Sequence, residues 1–281
     1  MKYLDLFELD KKIEIMDVGA AAINEIPIYD NLVKKKIGNL NCFEGDERQI
    51  EKLKHKYGDS IKLFNEFLFD GTDQNLYLAN PESGMTSLFK PNEKVLDFFN
   101  GFNQIGKISE IKKIKTSKLD DIENLPLIDF TKLDIQGSEL TVLNNGNTKL
   151  KKCLAIQLEV SYVCLYENQP TFGEVDLWMR DNGYIPHRFI DIKRWSISPT
   201  IFNNNFRIAG NQLLEADIIY IKDPLKLEHL DNNQLKKLIL LSHYCFGSFD
   251  LSVHFILELE KRNILEKDTF KNYLVNIKKF S

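Results

Sequence analysis

The sequence predicts an α/β fold with a mostly parallel central sheet, and three observations carry that expectation. Up to about Lys222, short apolar strands alternate with segments of helical periodicity, the pattern of βαβ units with right-handed crossovers. The first strand, Lys12-Ile13-Glu14-Ile15-Met16, runs through Asp17-Val18 into Gly19-Ala20-Ala21-Ala22, small residues that let the backbone approach a ligand closely. Acids stand where strands end, at Asp17, Glu44, Asp134 and Glu159, and open parallel sheets bind their ligands outside those ends.

The elements follow in order. A second strand, Leu40-Asn41-Cys42-Phe43, ends in Glu44, and Asp46 to Tyr57 repeats Ile50, Leu53 and Tyr57 at helical spacing. Ile61 to Asn65 reads as a third strand. Between Gly71 and Lys107 the pattern weakens: Leu76-Tyr77-Leu78 suits an edge strand, and Ser83 to Leu88 a loop. The sheet resumes at Ile128 to Ile135, Leu154 to Val160 and Ile185 to Ile190, and ends with Ala216 to Lys222. One intervening helix starts at Ser138, a favourable N-cap, and stops at Asn145-Gly146. A second turns Phe172, Val175, Trp178 and Met179 inward and closes at Gly183. From Leu225 the pattern is helical, opening on the capping box Asp231-x-x-Gln234. The expected organisation is therefore a domain over residues 1–224 and a helical appendage over 225–281, whose apolar faces suit a homo-oligomer contact or a cover for the acceptor cleft.

Composition narrows the function. Hydrophobic residues at 43% and charged residues at 28% are those of a globular protein. A net charge of -4, with basic runs as short as Lys34-Lys35-Lys36 and Lys112-Lys113, argues against nucleic acid as partner. Cys42, Cys153, Cys164 and Cys245 are scattered without metal-ligand spacing, so reduced thiols are expected and no metal site. The acids near the first residues do not suit a signal peptide, and no apolar run reaches the ~18 residues a membrane span needs. The expected compartment is the cytoplasm.

Two strands concentrate chemistry. In Asp129-Phe130-Thr131-Lys132-Leu133-Asp134-Ile135, the period of two puts Lys132 and Asp134 on one face, and Gln157 and Glu159 do the same in the next strand. Charges inside a covered sheet are costly unless paired, so this is an ion-pair network or an active site. Glu44, about 25 residues past the glycine turn, stands where a carboxylate grips ribose hydroxyls.

These residues resemble the FkbM family of methyltransferases. The matching pieces are Met16-Asp17-Val18-Gly19-Ala20, Cys42-Phe43-Glu44-Gly45-Asp46, Met85-Thr86-Ser87-Leu88 and Thr116-Ser117-Lys118-Leu119-Asp120. The most distinctive are Lys132-Leu133-Asp134-Ile135-Gln136-Gly137-Ser138-Glu139, Gln157-Leu158-Glu159-Val160 and Tyr166-x-x-Gln169-Pro170. The resemblance covers about Ile13 to Lys222. It implies a Rossmann-like class I methyltransferase fold with a seven-stranded sheet, S-adenosylmethionine as methyl donor, and O-methylation of a sugar, glycolipid or natural-product hydroxyl. By position, Asp17, Gly19 and Ala20 would line the methionine end of the cofactor, Glu44 would hold the ribose, Phe64 to Asp70 would border the adenine, and Asp134 would lie near the sulfonium. The chain departs from the family at Ala21-Ala22-Ile23-Asn24, where Asn and a further Gly are usual, and at Gly45, where Pro is.

A hydroxyl acceptor requires a base. Asp134 or Glu159, tuned by Lys132, is the expected one, and His187 is the other candidate. Acceptor contacts are expected from Asn80 to Asn92, Tyr162 to Gln169 and the long Lys193 to Gln212 loop, with Tyr162, Tyr166 and Trp195 able to stack on sugar faces. Two other readings compete. A nicotinamide-dependent reductase would want the full G-x-G-x-x-G, which is missing. A non-catalytic partner subunit is favoured by the altered turn and opposed by the intact Asp17, Glu44 and Asp134.

Overall fold

The computed structural model describes residues 7, 9–20, 26–45, 47–58, 61–80 and 83–277; Ala21-Ala22-Ile23-Asn24, Asp46 and most of the first eight residues lie outside that description. In chain order the elements are β1 (Ile13–Val18), α1 (Asp30–Lys34), β2 (Gly38–Phe43), α2 (Glu47–Tyr57), β3 (Ile61–Phe64), β4 (Asp73–Leu78), α3 (Glu93–Phe98), α4 (Phe102–Ile105) and β5 (Glu110–Lys115). They continue with β6 (Phe130–Leu133), α5 (Glu139–Asn144), β7 (Ala155–Ser161), α6 (Phe172–Asp181), β8 (Tyr184–Trp195), β9 (Gln212–Lys222), α7 (Asn232–Leu241), α8 (Phe249–Lys261) and α9 (Thr269–Ile277).

Seven strands form the main sheet in the order β3-β2-β1-β6-β7-β9-β8. β6 and β7 run parallel, whereas β9 is antiparallel to both its neighbours, β7 and β8. The order reverses between β1 and β6, which is where an open α/β sheet opens a crevice at its strand ends. One face of β7 carries Ile156, Leu158 and Val160 into a core shared with Val142 and Leu143 of α5 and Val175 and Met179 of α6. The opposite face carries Gln157, Glu159 and Ser161, in register with Ile219, Asp217 and Glu215 of β9. Strict alternation along β7 thus separates an apolar layer from a polar one.

Several elements differ from the sequence expectation. Leu76-Tyr77-Leu78 is not on the main sheet; β4 pairs antiparallel with β5 in a ribbon of its own. β8 extends to Trp195 and β9 begins at Gln212, so the expected 193–212 loop contracts to a hairpin connection over 196–211. A second apolar core joins Ala79, Met85, Leu96, Phe99 and Phe102 to Leu165, Tyr166 and Leu214, with Trp195 packed against it. The weakly patterned middle of the chain is therefore tied to the ends of β7, β8 and β9.

The chain divides into two compact units, one over residues 16–23 and 41–222, the other over 1–15, 24–40 and 223–281. In the second, Asp231 and Gln234 close the expected capping box on α7. A π-helical turn follows at Ser242–Phe246, ending at the left-handed Gly247. Arg262, just past α8, donates hydrogen bonds of 2.7 Å to the Leu227 and Leu230 carbonyls, tying α8 to the start of the helical segment. Among the described residues no helix is long and apolar enough to cross a membrane.

Candidate active site

The site is built where β1, β2, β6 and β7 end. Gly19, at φ +76°, turns the chain out of β1, and its amide and that of Ala20 donate to the Phe43 carbonyl at the end of β2. The Asp134 amide donates to the Val18 carbonyl at 3.0 Å. Three strand ends are thereby laced by main-chain hydrogen bonds. The approach is so close that a Cβ on Gly19 would overlap the Asp134 carbonyl oxygen, which makes glycine obligatory there.

Lys132 sits between two carboxylates, 3.0 Å from Asp134 Oδ2 and 3.9 Å from Asp17 Oδ1. Asp17 is almost wholly buried, whereas Asp134 keeps 40% of its side chain exposed and so faces the crevice. Burial alone would raise the Asp134 carboxyl, but the Lys132 ammonium and a hydrogen bond from the Gln136 amide outweigh it and hold the group below the usual carboxylate range. Burial pulls Lys132 down, yet Asp17 and Asp134 pull harder and keep it protonated.

Glu159 behaves oppositely. It is buried on the neighbouring strand, and desolvation, then Glu215, then Asp134 push its carboxyl well above the ordinary value, only partly countered by Lys193. Lys193 of β8 bridges the pair, 3.3 Å from Glu159 and 2.7 Å from Glu215. Asp217, directly opposite Glu159 across the β7–β9 ladder, is also raised, by burial and by Asp134. Adjacent strands therefore carry one carboxylate held ionised and one whose proton is held more tightly than usual.

The turn after β6 is over-determined. Gln136 and Gly137 both take positive φ, 54° and 100°. Glu139 reaches back so that its Oε1 accepts from the Ile135 amide at 2.9 Å and the Gly137 amide at 3.3 Å. Full burial raises its carboxyl to about 7 despite those bonds. Ser138, the expected cap, makes no cap hydrogen bond; the Glu139 side chain serves the amides of the preceding turn, not those of α5. From outside the turn, Ser87 Oγ donates to the Gln136 carbonyl at 2.7 Å and the Tyr166 hydroxyl to Gln136 Oε1 at 2.8 Å. Gln169, 2.6 Å from Ser161 Oγ, accepts from the Tyr166 amide and walls in Gly137.

On the other side of the crevice, Glu44 is buried at the end of β2, its amide donating to the Phe64 carbonyl, and Phe43 stacks on Phe64 at 4.6 Å. A Cβ on Gly45 would stand 2.5 Å from the Phe67 ring, so the proline usual there would require that ring to move. Asp70 spends its carboxylate on its own turn, accepting from Thr72 N and Oγ1 at 2.9 and 2.7 Å. Burial would raise its carboxyl, and those bonds hold it below the ordinary value instead. His187 is elsewhere. It sits at a bulge in β8 between Pro186 and Arg188, level through Tyr220 with Ile156 at the amino end of β7.

The donor set suits a cofactor that carries positive charge, ribose hydroxyls and a flat aromatic base. Asp17, Glu44 and Asp134 supply carboxylates against one lysine, and Phe64 and Phe67 flank Glu44 with apolar surface. Among the described residues, no group of three or more His, Cys, Asp or Glu side chains is arranged to hold a metal ion.

A Rossmann-like sheet with one antiparallel strand next to its edge, and carboxylates at the ends of β1, β2 and β6, defines a class I methyltransferase architecture. The methyltransferase FkbM domain matches residues 17–186, and the chain belongs to that family. It is accordingly an S-adenosylmethionine-dependent methyltransferase in class, with that cofactor. Solved structures similar to it include the precorrin-6y C5,15-methyltransferase of Geobacter metallireducens, at 12% identity and a TM-score of 0.36 over 79% of this chain and 86% of that one. Another is the magnesium protoporphyrin IX methyltransferase of Synechocystis PCC 6803 with bound cofactor, at 9% identity and a TM-score of 0.37 over 76% and 71%. No curated protein matches the sequence.

Sequence reasoning missed Lys193, Glu215 and Asp217. The period-two spacing of Glu215 and Asp217 in an otherwise apolar strand was the available signal.

Proposed function

We propose that this methyltransferase O-methylates a hydroxyl of a sugar, glycan or glycolipid. The observation that carries the reading is the pair of oppositely tuned carboxylates on adjacent strands, Asp134 held ionised beside Lys132 and Glu159 raised by burial, Glu215 and Asp134 against the pull of Lys193. Such divergence is the usual mark of a divided acid–base role. A neutral amine or a thiolate attacks without a base, whereas an alcohol must lose its proton as it reacts, so a basic carboxylate favours an oxygen acceptor.

In this reading Asp17, Gly19 and Ala20 hold the methionine end of S-adenosylmethionine, Glu44 its ribose, and the segment up to Asp70 its adenine. Bound there, the cofactor supplies an electrophilic methyl group on a sulfonium. The Asp134 carboxylate stabilises positive charge at the crevice and orients the acceptor hydroxyl, and Lys132 keeps that carboxylate anionic. Glu159 would take the proton of the acceptor hydroxyl and hold it on its carboxylate, leaving the oxygen free to react. Holding the partners in line is worth ~7–11 kcal/mol of barrier, and a positioned base adds about 10²–10⁴-fold in rate.

Calorimetric titration with S-adenosylhomocysteine, with NADH as control, followed by a screen of sugar acceptors with labelled methyl donor, tests this. Label appearing in an ether of the acceptor supports it. Tight cofactor binding with label only on amines or carbon would refute the oxygen assignment, and no binding would favour a non-catalytic partner.

A further inference from the structure

The hairpin joining β8 to β9 holds a pocket of its own. Its walls are Trp195, Phe202, Thr200, Gly210, Asn211 and Gln212. The floor is rigid. Trp195 Nε1 donates to the Asn100 carbonyl at 2.8 Å, and its ring packs edge-on against Phe102 at 5.0 Å. Asn100 in turn donates to the Ser196 side chain and to the Thr200 carbonyl, pinning the loop from beneath. Gly210 allows the two sides of the hairpin to close, since a Cβ there would lie 3.0 Å from the Trp195 carbonyl oxygen.

We propose that this pocket is a carbohydrate subsite that holds a sugar ring beyond the one that is methylated; the proposal rests on the glycan reading given above. The lining has the chemistry that pyranose recognition needs. Phe202, 44% exposed at the rim, and the indole of Trp195 offer flat apolar faces for the C–H face of a ring. Asn211, Gln212 and Thr200 are among the lining residues and bring side chains that can donate to and accept from sugar hydroxyl groups. The lining includes no ionisable side chain, so a phosphate or carboxylate ligand finds no counter-ion there.

Position supplies the second half of the argument. Trp195 and Gln212 are register partners at the hairpin end, and the Lys193–Glu215 pair that touches Glu159 is the next polar pair along the ladder. Three residues from Gln212 to Glu215 span about 10 Å of strand. A ring bound in the pocket is therefore too far from Glu159 to be methylated itself, but near enough to belong to the same oligosaccharide. The preferred acceptor is then an oligosaccharide or glycosylated molecule, not a free monosaccharide.

Saturation-transfer NMR on the full chain, with maltotriose, cellotriose and methyl β-glucopyranoside as probes and no cofactor present, tests the pocket. The expected result is transfer to ring protons of at least one trisaccharide, reduced at least fivefold by Phe202→Ala and by Asn211→Ala. Both side chains are partly exposed, and thermal melts would verify that each variant folds. Absence of transfer to all three probes, or transfer unchanged in both variants, overturns the proposal. Because this readout needs no turnover, sugar binding in a protein that methylates no sugar keeps the pocket as a carbohydrate site but overturns its place beside a methylated ring, along with the acceptor reading.

Discussion

Gly19 and Asp134 meet backbone to backbone, and no side chain fits between them. The two residues stand on neighbouring strands at the point where the sheet order reverses, so the crevice is shaped by a main-chain contact before any side chain contributes. Gly19→Ala must push the β6 turn away and strain a left-handed position at once. It is expected to weaken S-adenosylhomocysteine binding at least tenfold and to lower stability by about 1–3 kcal/mol. Calorimetry and a denaturant melt would measure both, and wild-type affinity would show that the contact is incidental.

Lys132 compensates two carboxylates at once. Lys132→Met leaves Asp17 buried beside an apolar side chain, and removing one partner of a buried pair costs about 3–5 kcal/mol. The double variant Lys132→Met/Asp17→Asn should recover much of that loss while cofactor affinity stays low. Failure of the second change to rescue the melting temperature would place the cost elsewhere.

Asp134→Asn preserves shape and removes charge. Turnover with labelled donor should fall by at least about 10²-fold, with the circular-dichroism spectrum unchanged. Turnover within a factor of two of wild type would remove Asp134 from the mechanism.

Glu159 titrates above the ordinary carboxylate range, so its ionised, base-competent form grows as pH rises. Turnover should therefore increase with pH through that raised value. Glu159→Gln should flatten the rising limb and lower the plateau by about 10²-fold or more. An unchanged pH profile in that variant would assign the base to another group.

Glu139 gives a stability prediction of the opposite sense to an ordinary salt-bridged acid. Its folded value, about 7, lies above that of the unfolded chain, so the folded state binds the extra proton between the two. Stability then falls as pH rises through that window. Glu139→Gln keeps an oxygen for the Ile135 and Gly137 amides and abolishes the titration, so relative to wild type it should gain roughly 2–3 kcal/mol between pH 5 and pH 8. Melts at the two pH values decide it; a parallel loss at both would mean that the carboxylate's second oxygen matters more than its charge.

What the sequence made legible was local. The strand-turn of Asp17-Val18-Gly19 and the alternation of Lys132 and Asp134 depend on nearest neighbours in the chain, and both stand in the structure as expected. Lys193 was out of reach because the β8–β9 ladder contains three register shifts, and a single bulge exchanges the two faces of a strand. β5 was missed because Glu-Ile-Lys-Lys-Ile-Lys is exposed nearly throughout and reads as a solvated charge run. Ser138 stands at the N-cap of α5 as expected but makes no cap hydrogen bond, and Glu139 instead reaches back to the Ile135 and Gly137 amides of the preceding turn.

β9 enters the sheet against the direction of its neighbours, so its first residues, not its last, arrive at the crevice. The segment preceding them, 196–211, is held by Asn100 through Ser196 and Thr200, so changes there that keep those bonds leave β1, β2 and β6 in place. On the reading proposed above, the part that handles the methyl donor and the part that meets the acceptor are thus separable. If the acceptor is the glycan proposed above, exchanging this hairpin between relatives should change which acceptor is preferred and leave S-adenosylhomocysteine affinity as it was.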